Sequence, residues 1–309
     1  MPIMPAEPQL QELAPGVHAW IQPDGTWWIN NAGAVHSGGE VVLIDTCATA
    51  RRTRLFLDAL DAATGGAPVR LAVNTHLHGD HVYGNALLPG STTIVAHEHT
   101  RQGILRDFIL ASTPPAWSPT PDWGVDAVRA PTVSFRDEIT LYAGGKPVVV
   151  RHPGYAAHTA GDAVAWLPDE RVLFTGDLVF NQVTPMIAMG SLPGALRSLD
   201  WLAAFEPAVV VPGHGPVVTG AGFADVLAAH RRYYELVRDA AVTGREKGWT
   251  PLETARETEL GEFAGLPDAE RLVLNLHRAY ADADGVDVNV AAALGDAIAY
   301  NGGPLACSV

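Results

Sequence analysis

THLHGDH, residues 75–81, places three imidazoles and one carboxylate within seven positions. The preceding run, VRLAVNTH at 69–76, is apolar without alternation and reads as a fully buried strand, so the cluster starts where that strand stops. Residues two apart in an extended segment point the same way, which pairs His76 with His78. Gly79 is then expected to let the chain turn sharply and re-aim Asp80 and His81. Bringing such groups together out of water costs stability unless a cation joins them. The stretch therefore predicts metal binding.

Four further stretches place a polar residue just after a strand-like run: LIDT with Asp45, AAHTAGD with His158, FTGD with Asp177 and VPGHG with His214. Strand ends are where a rigid scaffold hands side chains to loops, so ligands distant in sequence can converge there. Leaving Asp45 aside, five histidines and two aspartates make seven candidate ligands: His76, His78, Asp80, His81, His158, Asp177 and His214. One catalytic zinc takes three protein ligands and keeps an open position, so seven groups divide into two three-ligand sites and a bridging carboxylate. Imidazole and carboxylate suit zinc, and also iron or manganese. His18, His36, His97, His99, His152, His230 and His277 lack such company and are read as ordinary hydrogen-bonded histidines.

T-H-x-H-x-D-H followed by AHTAGD, TGD and PGHG, in that order over residues 16 to about 218, resembles the metallo-β-lactamase fold superfamily. The resemblance implies an α/β fold, an αββα sandwich with two divalent metals, most simply zinc, at one edge of its sheets. It implies a first site of His76, His78 and His158, a second of Asp80, His81 and His214, and Asp177 as the bridge. Asp45 matches the acidic residue that orients a ligand from behind. Two such cations would lower the pKa of a shared water towards about 7 and polarise a carbonyl oxygen. Asp80 and Asp177 are the catalytic candidates, Asp80 through holding or relaying the proton. No G-x-S-x-G nucleophile motif occurs.

Within that superfamily, DGTWWINNAGAV, NTHLHGDHVYGN and the ending NLHRAYAD…AYNGGPLACSV resemble actinobacterial cyclases of aromatic polyketide biosynthesis. This implies a cyclase or thioesterase acting on a small-molecule or carrier-protein-bound thioester. Trp27, Trp28, Trp117, Trp123, Phe180, Met186 and Met189 are the candidates for an apolar substrate wall, although most such residues in any protein are simply core. A glyoxalase II-like thioester or lactone hydrolase is the alternative. A zinc β-lactamase is disfavoured, since many have Cys or Ser where this chain has Asp177 and a secreted one would carry a signal peptide. A nuclease of the same class is disfavoured too, because no large insertion separates TGD from PGHG. A metal-binding scaffold without activity is the non-enzyme reading.

The chain has 309 residues and a formal charge of −14, with 48% hydrophobic residues, which is enough for a sizeable core. So acidic a surface repels phosphate backbones and excludes nucleic acid as the expected partner. It also sits badly with an acidic carrier. Cys47, in a strand-like run, and Cys307 are too few for a disulfide framework. The opening MPIMPAEPQLQEL has no basic or apolar signal region, and no run is long enough to span a bilayer, so a cytoplasmic protein is expected without a membrane partner.

Strands are expected over 16–21, 27–35, 40–46, 69–76 and 92–97, and helices from Arg51 to Ala63 and from His99 to Leu110. TPPAWSPTPDWG at 113–124 cannot continue a helix and is expected to form a loop exposing Trp117 and Trp123. Two or three strands are expected within 132–154, then strands at DAVAWLP, RVLFTGD and 208–215, with a helix over about 193–205 between the last two. Residues 1–219 would form the catalytic core, and 220–309 a helical extension with segments near 223–246, 251–260, 267–283 and 288–300. That tail is long enough to cap the core or to pair two subunits, which leaves a homodimer open.

Overall fold

The computed structural model describes residues 7–309. Its first seven-stranded sheet begins with β1 (Gln9–Ala14), β2 (Val17–Ile21), β3 (Ala32–Ser37) and β4 (Glu40–Ile44), each antiparallel to the next. Helix α1 (Ala50–Thr64) then crosses to β5 (Val69–Asn74), which lies parallel to β4. The short α2 (Gly79–Val82) follows, then β6 (Thr93–His97) and α3 (Glu98–Ile104). A two-residue strand, β7 (Trp117–Ser118), lies apart, and β8 (Val133–Phe135) closes the sheet beside β6.

The second sheet contains β9 (Glu138–Ala143), β10 (Lys146–Arg151), β11 (Val164–Leu167) and β12 (Val172–Phe180). Helix α4 (Leu192–Ala203) leads to β13 (Val209–His214), which runs parallel to β12, and β14 (Val218–Thr219) completes the six strands. The tail comprises α5 (Gly220–Lys247), α6 (Pro251–Arg256), α7 (Arg271–Asp284) and α8 (Val290–Asn301), and ends in β15 (Leu305–Ala306).

The layering follows from side-chain alternation. Val17, Ala19 and Ile21 of β2 face the second sheet and pack with Phe135, Val150 and Phe174 in the inter-sheet core. Trp20, between them in sequence, faces the other way and stacks on Phe56 of α1 at 5.5 Å. The sheets approach so closely at Gly33 that a Cβ there would fall 2.2 Å from the Phe174 ring. Beyond the second sheet, Leu199 of α4, Leu227 and Tyr233 of α5 and Leu272 of α7 share one core with Leu173 and Val210. The four layers are helix, sheet, sheet, helix, the expected metallo-β-lactamase sandwich with a helical C-terminal region. Each fully buried Leu or Phe in these layers contributes on the order of 1.5–3 kcal/mol.

Several elements differ from expectation. The run 27–35 is strand only from Ala32, because Asn30 and Asn31 are drawn out of the ladder by the carbonyls of Thr46, Pro212 and Gly215. Helix α3 stops at Ile104 rather than Leu110; Asp107 turns the chain by accepting hydrogen bonds from the Leu110 N–H and the Tyr83 hydroxyl. Residues 251–260 are helical only to Arg256, and the strand β1 had no clear periodic signal. Cys47 lies past the end of β4, in a buried connection, not in a strand. Trp117 and Trp123 are buried rather than exposed, since β15 pairs with β7 and covers that loop. Among the described residues, no helix is long and apolar enough to cross a membrane.

Candidate metal centre

Strands β4, β5, β12 and β13 all deliver their carboxyl ends to one rim. Asp45 follows β4, His76 follows β5, Asp177 lies within β12 and His214 ends β13. The β12–β13 ladder slips between Phe174 and Gly176 and again before Phe180, so Asp177 sits inside an irregularity that turns its carboxylate out of the regular pleat. Gly213 makes room for it: a Cβ there would come 1.9 Å from Asp177 Oδ1. Gly79 has a different role from the one expected. It begins α2 without a positive φ, and a side chain at that position would run into the ring of Tyr83 at 2.3 Å. The helical turn itself, not a glycine kink, re-aims Asp80 and His81.

All seven candidate ligands converge. His76 Nε2, His78 Nδ1 and His158 Nε2 are neighbours, 3.2 Å and 2.8 Å apart around His78, with Asp177 Oδ2 at 3.6 Å from His76 and 3.3 Å from His158. On the other side of Asp177, His81 Nε2 lies 3.1 Å from its Oδ1, and His214 Nε2 lies 3.3 Å from its Oδ2 and 3.2 Å from Asp80 Oδ2. The geometry thus yields one group of His76, His78, His158 and Asp177 and another of Asp80, His81 and His214. Ligand atoms at about 2.05 Å from a tetrahedral zinc are about 3.3 Å from one another, which is the spacing found here.

The nitrogens facing away from the two groups are tied down. His158 Nδ1–H donates to the Met186 carbonyl at 2.6 Å and His214 Nδ1–H to the Gly25 carbonyl at 2.9 Å. His81 Nδ1–H donates to Asp45 Oδ2 at 2.8 Å, and His76 Nδ1 lies 3.1 Å from the Thr75 hydroxyl. These bonds leave the Nε2 lone pairs of His81, His158 and His214 free for a cation. Asp45, held at φ +58, also accepts the Thr75 N–H and hydroxyl, both at 2.7 Å, so it fixes the strand end and the His81 ring together. Asp162 fixes the third segment by accepting the backbone N–H groups of His158 and Thr159.

Burial and charge act in opposite directions across the rim. Burial, reinforced by the neighbouring imidazoles, lowers His76, and burial holds His158 down at about 3. Burial opposes protonation of His81 as well, yet Asp177, Asp45 and Asp80 outweigh it and raise that group well above its ordinary value. His214 likewise rises to about 9 because Asp177 and Asp80 overcome its burial. Asp177 is held well below the carboxylate range by the surrounding imidazoles, despite burial. His81 Nε2 and Asp177 Oδ1 are buried with no hydrogen-bond partner, which a cation between the donor groups would satisfy. The donor set fits two divalent metals, zinc above all.

A cavity of about 300 Å³ opens from this rim and is bordered by His78, Asp80, Asp177 and His214. Trp27, Trp28, Trp117, Phe180, Met186 and Met189 line it, as expected of six of the seven wall candidates. Trp123 is displaced to a second layer, where it packs against Trp28 at 4.6 Å and donates its indole N–H to Thr113. Sequence reasoning missed Arg271, Leu274, Val290 and Leu294, which the tail contributes to the same cavity. Their helical spacing looks like that of any core-facing helix, so no local signal marks them.

Comparison with known proteins agrees with the geometry. The model of the "Metallo-beta-lactamase superfamily" matches residues 25–214. A linear primary-alkylsulfatase of Pseudomonas sp. is 26% identical over 71% of this chain and 48% of its own length. A hydroxyacylglutathione hydrolase of Methylococcus capsulatus is 30% identical over 48% of each chain. The chain thus spans about half the length of these curated relatives. Among solved structures, the sec-alkylsulfatase Pisa1 from Pseudomonas sp. superposes with a TM-score of 0.68 at 22% identity, covering 92% of this chain and 51% of that one. A metallo-beta-lactamase from Pontibacter korlensis superposes with a TM-score of 0.58 at 23% identity, covering 74% and 99%. At such identities these structures establish the fold alone.

Proposed function

Since the chain belongs to the metallo-beta-lactamase superfamily and is one of its metal-dependent hydrolases, we propose that it cleaves an ester or thioester whose acyl group is apolar. The observation that carries this reading is the junction of seven converging ligand atoms with a tryptophan-lined cavity of about 300 Å³. Bound there, two divalent cations supply Lewis acidity for a carbonyl oxygen and bring the pKa of water from about 15.7 towards about 7.

The chain's own residues do the rest. His76, His78 and His158 hold one side of the centre, and Asp80, His81 and His214 the other, with Asp177 shared. Asp80, whose Oδ2 is 3.2 Å from His214, is placed to keep or pass on the proton that water gives up. Trp27, Trp28 and Trp117 seat the acyl group and keep bulk water from it. Among relatives, one is named for hydrolysis of hydroxyacylglutathione, which supports a thioester.

A more specific reading is a polyketide cyclase or thioesterase acting on a carrier-bound poly-β-ketone. The aromatic walls favour it: three indoles meet edge to face around the cavity, with Trp28 and Trp117 centred 5.0 Å apart. Electrostatic stabilisation of a carbonyl oxyanion serves an enolate equally, so the same rim supports ring closure as well as hydrolysis. The test is metal content together with turnover of a panel: an aryl thioester, an ester, an alkyl sulfate and a β-lactam. Two ions per chain and a preference for the thioester are expected; a single ion, or sulfate turnover alone, removes the proposal. Product analysis from a poly-β-ketone thioester then separates free acid from closed ring.

A further inference from the structure

We infer that the C-terminal helices select the substrate, and that they select an uncharged, ring-bearing acyl group. This rests on the carbonyl-hydrolase reading above for its chemistry, though not for its geometry. The cavity has the metal ligands on one side, while Leu274 of α7 and Val290 and Leu294 of α8 form part of its lining. The family model ends at residue 214, before any of them, so the part of the chain that binds metal does not contain this part of the wall.

The wall is rigid and tied to the rim. Asn275 of α7 donates to the Pro185 carbonyl at 2.8 Å and accepts the Ile187 N–H at 2.8 Å. Between those two residues lies Met186, whose carbonyl receives the His158 Nδ1–H. Glu270 accepts the indole N–H of Trp27 at 2.6 Å, which fixes the opposing aromatic face. α7 therefore sets the distance between the apolar end of the cavity and the reacting carbonyl.

The tail brings one charge to the cavity, and it is already engaged. Arg271 Nη1 donates to the Thr184 carbonyl at 2.9 Å, Nη2 lies 2.7 Å from Asp268, and the guanidinium packs over Trp27 at 4.8 Å. A charged acyl body would lose its hydration against Leu274, Val290 and Leu294 with nothing to replace it. A flat ring system would lie between those side chains and the indoles, within a space of about 300 Å³.

The experiment measures calorimetric binding of 2-naphthoate and of succinate to the metal-loaded protein, its Leu294→Trp variant and its Leu294→Ala variant. 2-Naphthoate is expected to bind at least tenfold more tightly than succinate, and Leu294→Trp to weaken it at least tenfold with metal content retained. Leu294→Ala, which opens the cavity, should favour anthracene-2-carboxylate over 2-naphthoate by threefold or more relative to the parent. Equal binding of naphthoate and succinate, or ratios unmoved in both variants, overturns the inference. Should Leu294→Trp fail to fold, the Leu294→Ala ratio decides alone. Leu294-dependent naphthoate binding in a protein that hydrolyses no thioester would sink the carbonyl-hydrolase reading and leave this one standing.

Discussion

Around the rim, four of the five histidine ligands have their outward nitrogen tied to an oxygen, whereas the indole nitrogens of Trp28 and Trp117, in the cavity wall beside them, have no hydrogen-bond partner at all. The two regions touch, yet they are held by different physics. Directional bonds to Thr75, Asp45, Met186 and Gly25 fix the rim atom by atom. The wall is fixed by packing, with Trp28 wedged among Tyr83, Trp117 and Trp123. A site held by directional bonds should fail abruptly when one member is lost, and a packed wall should change preference gradually.

The sharpest way to break this comparison is Asp177→Ala. Turnover should fall beyond the roughly 100-fold typical of orienting groups, and bound metal should drop from two ions per chain towards one or none. Undiminished activity in that variant would falsify the shared-ligand assignment.

Next comes the seam between tail and rim. His230 of α5 accepts the Phe180 N–H at 3.0 Å, and Phe180 stacks on His214 at 5.2 Å. Burial holds His230 down at about 4 from an ordinary 6.5. A histidine lowered in the folded state binds its proton more readily when unfolded, so its contribution is intact above pH 6.5 and is lost as pH falls towards 4. That share amounts to roughly 3 kcal/mol. Denaturant titrations from pH 7 to 4 should show it, and His230→Gln should make the slope shallower by one proton's worth; an unchanged slope removes His230 from the account.

Asp45→Asn keeps the shape but weakens the hold on His81. Metal affinity should fall by about 10- to 100-fold, with the fold intact. Equilibrium dialysis reads this directly, and an unaltered affinity would mean that Thr75 and Asp45 merely shape the strand end. The smallest effect is expected at the wall. Glu270→Gln should raise KM for a bulky aryl thioester roughly three- to tenfold, with metal content preserved, because one charged hydrogen bond to Trp27 is weakened. A change confined to kcat would place Glu270 with the rim instead.

The same division decides how legible each region was in sequence. Histidines two apart, an aspartate and a histidine after a glycine, and polar residues just past buried strands are chemically rare enough to announce a metal centre. His76, His78, Asp80 and His81 lie on one short turn, so local geometry nearly suffices to gather them. His158, Asp177 and His214 come from three separate segments; parallel pairing of β12 with β13 and the irregularity at Asp177 bring them in. Trp123 was misplaced because aromatic residues in a proline-rich loop give no hint of which ring lies in front.

By itself, then, the sequence determined the αββα sandwich, the two-metal donor set and the acidic, core-rich character of the chain, because those properties reside in residue types and short spacings. Only the tertiary structure decided that Leu274, Val290 and Leu294 border the cavity, that Asp45 reaches His81 rather than a metal, and that Gly79 is small for the sake of Tyr83. An apolar helical residue has the same local pattern whether it meets another helix or a substrate. Which of the two it meets is set by how layers pack, and packing is a property of the whole chain.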